Sequence, residues 1–265
     1  MISINGHVIG SDCYPNNERI LKAPDLGRHV SHFLIDFKYE TDIDISVLLM
    51  CKRHLDEVYD YPEVTLYMKY VPYSRMDREI RGYMFSLRHF CTTINKLHFD
   101  KVIILDPHSE STSHLLRRCI EMPIKPHIDR ILARVPISHI FYPDAGALVR
   151  YSSLLPESIP TFYGEKKRDP QTGKILHYSI PKCPDIDGKS ILIIDDLCAK
   201  GTTFHLASQI LKERGASNIY LYVSHCEDSV YTGKLLKSGL ISKIFTTDSI
   251  LSDWSNPLLV NIERG

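Results

Sequence analysis

An α/β protein of two domains with largely parallel sheets is what this 265-residue sequence predicts, on three observations. Short β-branched and apolar runs alternate with amphipathic stretches of helix length, the pattern of successive βα units. Two of those runs lead directly into aspartate, Val-Ile-Ile-Leu-Asp106 and Ile-Leu-Ile-Ile-Asp195-Asp196, as though one architecture occurred twice. A composition shift then marks residues 156–188, where Pro156, Pro160, Pro170, Pro181 and Pro184 mingle with Gly164, Gly173 and Gly188. The expected domains are residues 1–125 and 126–265.

The runs at residues 32–37, 64–71, 102–105, 139–142, 190–194, 219–223 and 243–246 are expected strands. Residues 45–58, 84–97 and 204–214 are expected helices. In the last of these, Thr202 or Thr203 can cap the start, Leu206, Ala207, Ile210 and Leu211 form an apolar stripe, and Gly215 ends it. Residues 156–188 are expected to lack regular structure, and a stretch of that length in a compact protein is more often functional than idle.

Composition narrows the function classes. Lys and Arg total 32 and Asp and Glu total 32, so no overall field would hold a polyanion, and nucleic acid is not an expected partner. The longest apolar runs fall short of a membrane span, and Met1 opens no export leader, so a cytoplasmic protein without a membrane partner is expected. Seven cysteines without a Cys-x-x-Cys pair fit reduced thiols better than a disulfide framework or a zinc site.

The strongest chemical signal is Asp195-Asp196-Leu197-Cys198-Ala199-Lys200-Gly201-Thr202-Thr203, which joins an apolar strand to a helix. Backbone N–H groups and the helix dipole at such a junction favour a phosphate, while the two carboxylates suit sugar hydroxyls or Mg²⁺. An ordinary βα turn with an aspartate cap is the plain alternative. Arg75 and Arg78 present forked cationic donors suited to triphosphate oxygens or an adenine face, although a solvated charged turn explains them equally well. Gly188-Lys189-Ser190 ends like a Walker A loop, but Cys183 stands where the first glycine belongs and a strand follows instead of a helix.

These residues and several others, in order along the chain, resemble the ribose-phosphate pyrophosphokinase family. Tyr14-Pro15-Asn16-Asn17-Glu18 is similar to its adenine loop, and Pro72-Tyr73-Ser74-Arg75-Met76-Asp77-Arg78 to its arginine region. Asp106-Pro107-His108-Ser109, Tyr142-Pro143-Asp144-Ala145-Gly146, Lys166-Lys167-Arg168 and Ser224-His225 match further motifs. The resemblance implies two phosphoribosyltransferase-like domains with the site between them. It implies ATP held by Tyr14, Asn16, Glu18, Arg75, Asp77, Arg78 and His108. The ribose phosphate would be held by Asp144, Asp195, Asp196, Lys200, Gly201, Thr202 and Thr203. Mg²⁺ near His108 and Asp144, catalysis by Lys166 and Arg168, and a homodimer or higher homo-oligomer are implied as well.

The reaction so implied transfers the β,γ-diphosphoryl group of ATP to the C1 hydroxyl of ribose 5-phosphate, for nucleotide biosynthesis. Where the family carries a third acid, a threonine and a second glycine, this loop has Ala199, Lys200 and Thr202. One carboxylate fewer and one cation more suit a 5′ group more anionic than a monoester, such as that of ADP-ribose, whose 1-diphosphate could feed NAD formation. A phosphoribosyltransferase or a non-catalytic regulatory subunit are the remaining expectations.

Overall fold

The computed structural model describes residues 1–27, 30–168 and 175–264 and divides into two compact units, Met1–Pro123 and Ile124–Gly265. In the first, β1 (Ile2–Ile4) and β2 (His7–Val8) form a short antiparallel ribbon, followed by the hairpin of β3 (Gly10–Cys13) and β4 (Arg19–Lys22). Then come β5 (His32–Phe37), α1 (Asp42–Val58), β6 (Glu63–Tyr67), α2 (Ser86–Asn95), β7 (Lys101–Leu105), α3 (Ser111–Leu115) and β8 (Cys119–Met122). The sheet order is β2-β1-β5-β6-β7-β8, with β5 through β8 parallel. Along β5, Phe33, Ile35 and Phe37 are buried and their alternate neighbours are exposed, so this strand offers one face to the core. Leu48, Cys51 and Leu55 of α1 belong to the same apolar cluster.

The second unit contains α4 (Lys125–Arg134), β9 (His139–Tyr142), α5 (Ala145–Tyr151), β10 (Thr161–Tyr163), β11 (Glu165–Arg168) and β12 (Ile175–Ser179). It continues through β13 (Ser190–Cys198), α6 (Thr202–Glu213), β14 (Asn218–Cys226), β15 (Lys243–Thr246) and β16 (Leu259–Asn261). The sheet β10-β9-β13-β14-β15-β16 is parallel throughout. Ile191, Leu192, Ile193 and Ile194 are all buried, as a central parallel strand covered on both faces requires.

Five expectations change, the first being that β6 ends at Tyr67 instead of continuing to residue 71, because its register with β7 stops there opposite Ile103. Residues 156–188 hold three strands instead of an irregular stretch: β10 joins the main sheet, while β11 and β12 pair antiparallel as a separate ribbon. β11 (Glu-Lys-Lys-Arg) has no apolar residue, and β12 buries Tyr178 without a regular in-and-out pattern, so neither carries the alternation that marks a strand. β13 runs on to Cys198, four residues past its expected end, because Asp195, Leu197 and Cys198 keep register with Val223, His225 and Cys226 of β14. The start of α6 is capped by Gly201 in the left-handed region (φ 72°), with no side-chain cap from Thr202 or Thr203. Finally, α1 begins at Asp42, where the Asp44 carboxylate accepts the backbone N–H groups of Glu40 and Thr41.

Candidate active site

The second unit builds the anion loop from its backbone outward. Gly201 has a positive φ, and a Cβ there would lie 2.7 Å from Leu235 Cδ2, so no side chain fits. From the other side Gly233 lies against the carbonyl of Lys200, which a Cβ would meet at 1.9 Å. The Glu227 N–H donates to the Cys198 carbonyl at 2.8 Å and closes the base of the loop. Held this way, Lys200 and Thr202 are exposed and Thr203 is half-buried at the start of α6, the position where an anion meets free N–H groups.

Asp195 and Asp196 stand at the foot of this loop, and the Asp196 N–H donates to Asp195 Oδ1 at 3.0 Å. Desolvation, followed by the adjoining carboxylates of Asp196 and Asp144, holds Asp195 well above the usual carboxylate range, with Lys166 acting against that rise. Asp144 caps α5 by accepting the Ala147 N–H at 2.9 Å and pairs with the Lys166 ammonium. Burial would raise Asp144, but the bond from Lys166 and those from backbone N–H groups outweigh it and keep its carboxyl below the ordinary value.

Lys166 reaches Asp144 from β11, whose register places it opposite Tyr178 of β12. Tyr178 is buried and donates from its hydroxyl to the Pro143 carbonyl at 3.0 Å, one residue before Asp144. Gly164 makes that docking possible, since a Cβ there would meet the Tyr178 hydroxyl at 2.4 Å. The structure thus brings Lys166, Asp144, Asp195 and Asp196 into one electrostatic group. Arg168 ends β11, but its side chain lies outside what is described. His225 is buried and bonds through Nδ1 to Ser249 Oγ at 2.8 Å, so it braces β14 internally.

The first unit carries the other candidates. Tyr14, Asn16 and Glu18 form the exposed tip of the β3–β4 hairpin, closed by the Tyr14 N–H on the Glu18 carbonyl at 2.9 Å. Arg75 and Arg78 are exposed and Asp77 half-buried just after the turn that follows β6. Farther along the chain, a cavity of about 480 Å³ is lined by Arg81, His89, Tyr83, Phe85 and the ion pair of Arg88 with Glu79. His108 is exposed on the bend after β7, two residues beyond Asp106, which is buried with φ 39°. Positive φ at a non-glycine residue is strain of the kind that gathers at ligand loops.

Sequence reasoning passed over Asp42, Tyr39 and Tyr178. Tyr39 and Tyr73 both donate to Asp42 Oδ1, at 2.7 and 2.6 Å. Nothing in a linear reading links position 42 to position 73, and Tyr178 sits in a strand without the alternation that would have marked it.

Among the described residues no three His, Cys, Asp or Glu side chains converge as a metal cage. Mg²⁺ commonly uses one or two carboxylates together with nucleotide phosphates, a mode that the carboxylate of Asp144 suits.

Comparison with known proteins places these features in context. The phosphoribosyl transferase domain model matches residues 143–256. A ribose-phosphate pyrophosphokinase of Thermoplasma acidophilum is 32% identical over 231 residues, covering 82% of this chain and 74% of the relative. Another, from Thermoplasma volcanium, is 27% identical, with 92% of this chain and 84% of the relative covered. The crystal structure of phosphoribosylpyrophosphate synthetase from Mycobacterium smegmatis superposes with a TM-score of 0.75 at 17% identity, covering 96% of this chain and 85% of that one. This last likeness shows the fold, two phosphoribosyltransferase-like α/β units.

Proposed function

The chain belongs to the ribose-phosphate pyrophosphokinase family, and from that premise we propose that it transfers the β,γ-diphosphoryl group of ATP to the C1 hydroxyl of a ribose bearing a 5′-phosphoryl group. The observation that carries this reading is the Lys166 ammonium paired with Asp144 in the same electrostatic group as Asp195 at the foot of a phosphate-binding loop. A simple phosphate-binding site has no need of a second cation presented on its own β-ribbon.

In this reaction the C1 oxygen attacks the β-phosphorus, the bond from that phosphorus to the oxygen bridging to the α-phosphorus breaks, AMP leaves, and the hydroxyl proton is released. Asp195 and Asp196 orient the ribose hydroxyls. Lys200 to Thr203 hold the 5′-phosphate through backbone N–H groups and hydroxyls. Lys166 and Arg168 offset charge that develops on the transferred group and on AMP. Tyr14, Asn16, Glu18, Arg75, Asp77, Arg78 and His108 bind ATP. Asp144 would hold Mg²⁺ through its carboxylate together with nucleotide phosphates, and His108 would offer an imidazole nitrogen to a metal beside the nucleotide motifs; bound metal would supply charge neutralisation. The protein works in the cytoplasm as a homo-oligomer of two or more chains.

Ribose 5-phosphate is the acceptor most relatives' names imply. The exposed Lys200 and Thr202 favour ADP-ribose as the second reading, since an open, cationic loop can take a diphosphate linked to a nucleoside. The test supplies ATP and Mg²⁺ with each acceptor in turn and follows AMP and the 1-diphosphate by chromatography and ³¹P resonance. Formation of either 1-diphosphate supports the transfer, and at least a tenfold difference in kcat/KM, about 1.4 kcal/mol, assigns the acceptor. No AMP with either acceptor refutes the reaction and leaves a phosphoribosyltransferase or a regulatory subunit.

A further inference from the structure

Tyr73 is a non-glycine residue in the left-handed region, with φ 62°, and lies two positions before Arg75. A bulky side chain rarely adopts that backbone, so neighbouring contacts must hold it. Two are present. The Tyr73 hydroxyl donates to Asp42 Oδ1 at 2.6 Å, and its ring meets Phe90 of α2 edge-on with centroids 5.9 Å apart. Asp42 is itself placed at the first position of α1 and takes a second phenol bond, from Tyr39 at 2.7 Å. The Met76 N–H donates to the Tyr73 carbonyl at 2.8 Å, so the backbone at Tyr73 sets the direction in which Arg75 leaves the turn.

We infer that Asp42 is a positioning residue for nucleotide binding, acting through the Tyr73 hydroxyl to hold the turn that aims Arg75; this rests on reading Arg75 as an ATP contact. Asp42 touches neither nucleotide nor acceptor in this scheme. The two phenols keep its carboxyl below the usual range, and the Tyr73 hydroxyl is pushed up to about 12, so the bond from phenol to carboxylate persists through neutral pH.

The test is steady-state kinetics on the full chain with Asp42→Ala, Asp42→Asn, Tyr73→Phe, the Asp42→Ala/Tyr73→Phe double variant and Arg75→Ala. Asp42→Ala and Tyr73→Phe should each raise the KM for ATP about fivefold or more, with kcat and the acceptor KM within about twofold of the parent. The double variant should be no worse than Asp42→Ala alone, because both changes cut the same bond. Asp42→Asn keeps an acceptor oxygen and should recover part of the loss. If Asp42→Ala does not fold, Tyr73→Phe, which removes a single oxygen, carries the test. An unchanged KM for ATP in Tyr73→Phe, beside a raised one in Arg75→Ala, overturns the positioning role and spares the nucleotide reading. An unchanged KM for ATP in Arg75→Ala overturns both.

Discussion

At the scale of single residues, Asp144 and Asp195 carry opposite electrostatic settings. Asp144 is depressed by Lys166 and by helix N–H groups, so its contribution to stability is present above the ordinary carboxylate range and is lost as pH falls through its lowered folded value. The stability gap between the parent and Asp144→Asn, read as Tm against pH, should therefore be open at neutrality and close in acid. Asp195 carries the reverse sign. It is raised, so the folded state binds the proton more tightly than the unfolded chain and loses stability as pH climbs from the ordinary value toward the raised one. Asp195→Asn should then be more stable than the parent at neutral pH, with the gain fading toward acid, while the KM for the acceptor rises. Lys166→Ala should lower kcat by about a hundredfold or more, roughly 2.7 kcal/mol, with the KM for ATP little changed. Near-parental turnover would remove the ribbon from the mechanism.

The functional elements are held by close backbone contact at glycines. Gly164→Ala drives a methyl group into the Tyr178 hydroxyl and ring, displacing the ribbon that presents Lys166. About a tenfold or greater fall in kcat, with the acceptor KM near parental, is the expected kinetic signature. Gly233→Ala instead presses on the Lys200 carbonyl, a backbone atom that cannot yield without moving the loop. Its expected effect is at least a tenfold rise in the acceptor KM, and an unchanged acceptor KM would show that the loop tolerates displacement. The helical pattern of α6 was legible in the stripe of Leu206, Ala207, Ile210 and Leu211, of which Ala207 and Leu211 are buried and Leu206 and Ile210 pack half-buried against the same core. Its cap was not: a left-handed glycine and a threonine cap both precede an apolar stripe in the same way, and the contact with Leu235 decides between them.

The whole molecule divides its candidate residues between two units, with the nucleotide motifs in Met1–Pro123 and the acceptor loop in Ile124–Gly265. If the exposed β3–β4 tip serves a neighbouring chain, as the family resemblance implies, Glu18→Ala and Lys166→Ala chains should be individually weak. Mixed after dissociation and reassembly, they should recover part of the parental rate, because some assembled sites then combine two intact contributions. A mixture no more active than its components, or a fully active monomer in dilute solution, would refute the shared arrangement. Among the described residues no helix is long and apolar enough to cross a membrane.

Local patterning by itself determined the α/β class, most central strands, the principal helices and the position of the loop between β13 and α6. These depend on side-chain periodicity and on residue types joined by a few bonds, which a chain displays before it folds. Tertiary structure alone decided that β13 carries both aspartates within the sheet, since pairing with β14 supplies the partners that extend it to Cys198. It also decided that residues 161–163, 165–168 and 175–179 form strands, that Lys166 meets Asp144, and that Asp42 grips Tyr73 across 31 positions. Each of these is a contact between residues distant in sequence, and only the folded backbone brings such residues within the few ångströms over which hydrogen bonds and ion pairs act.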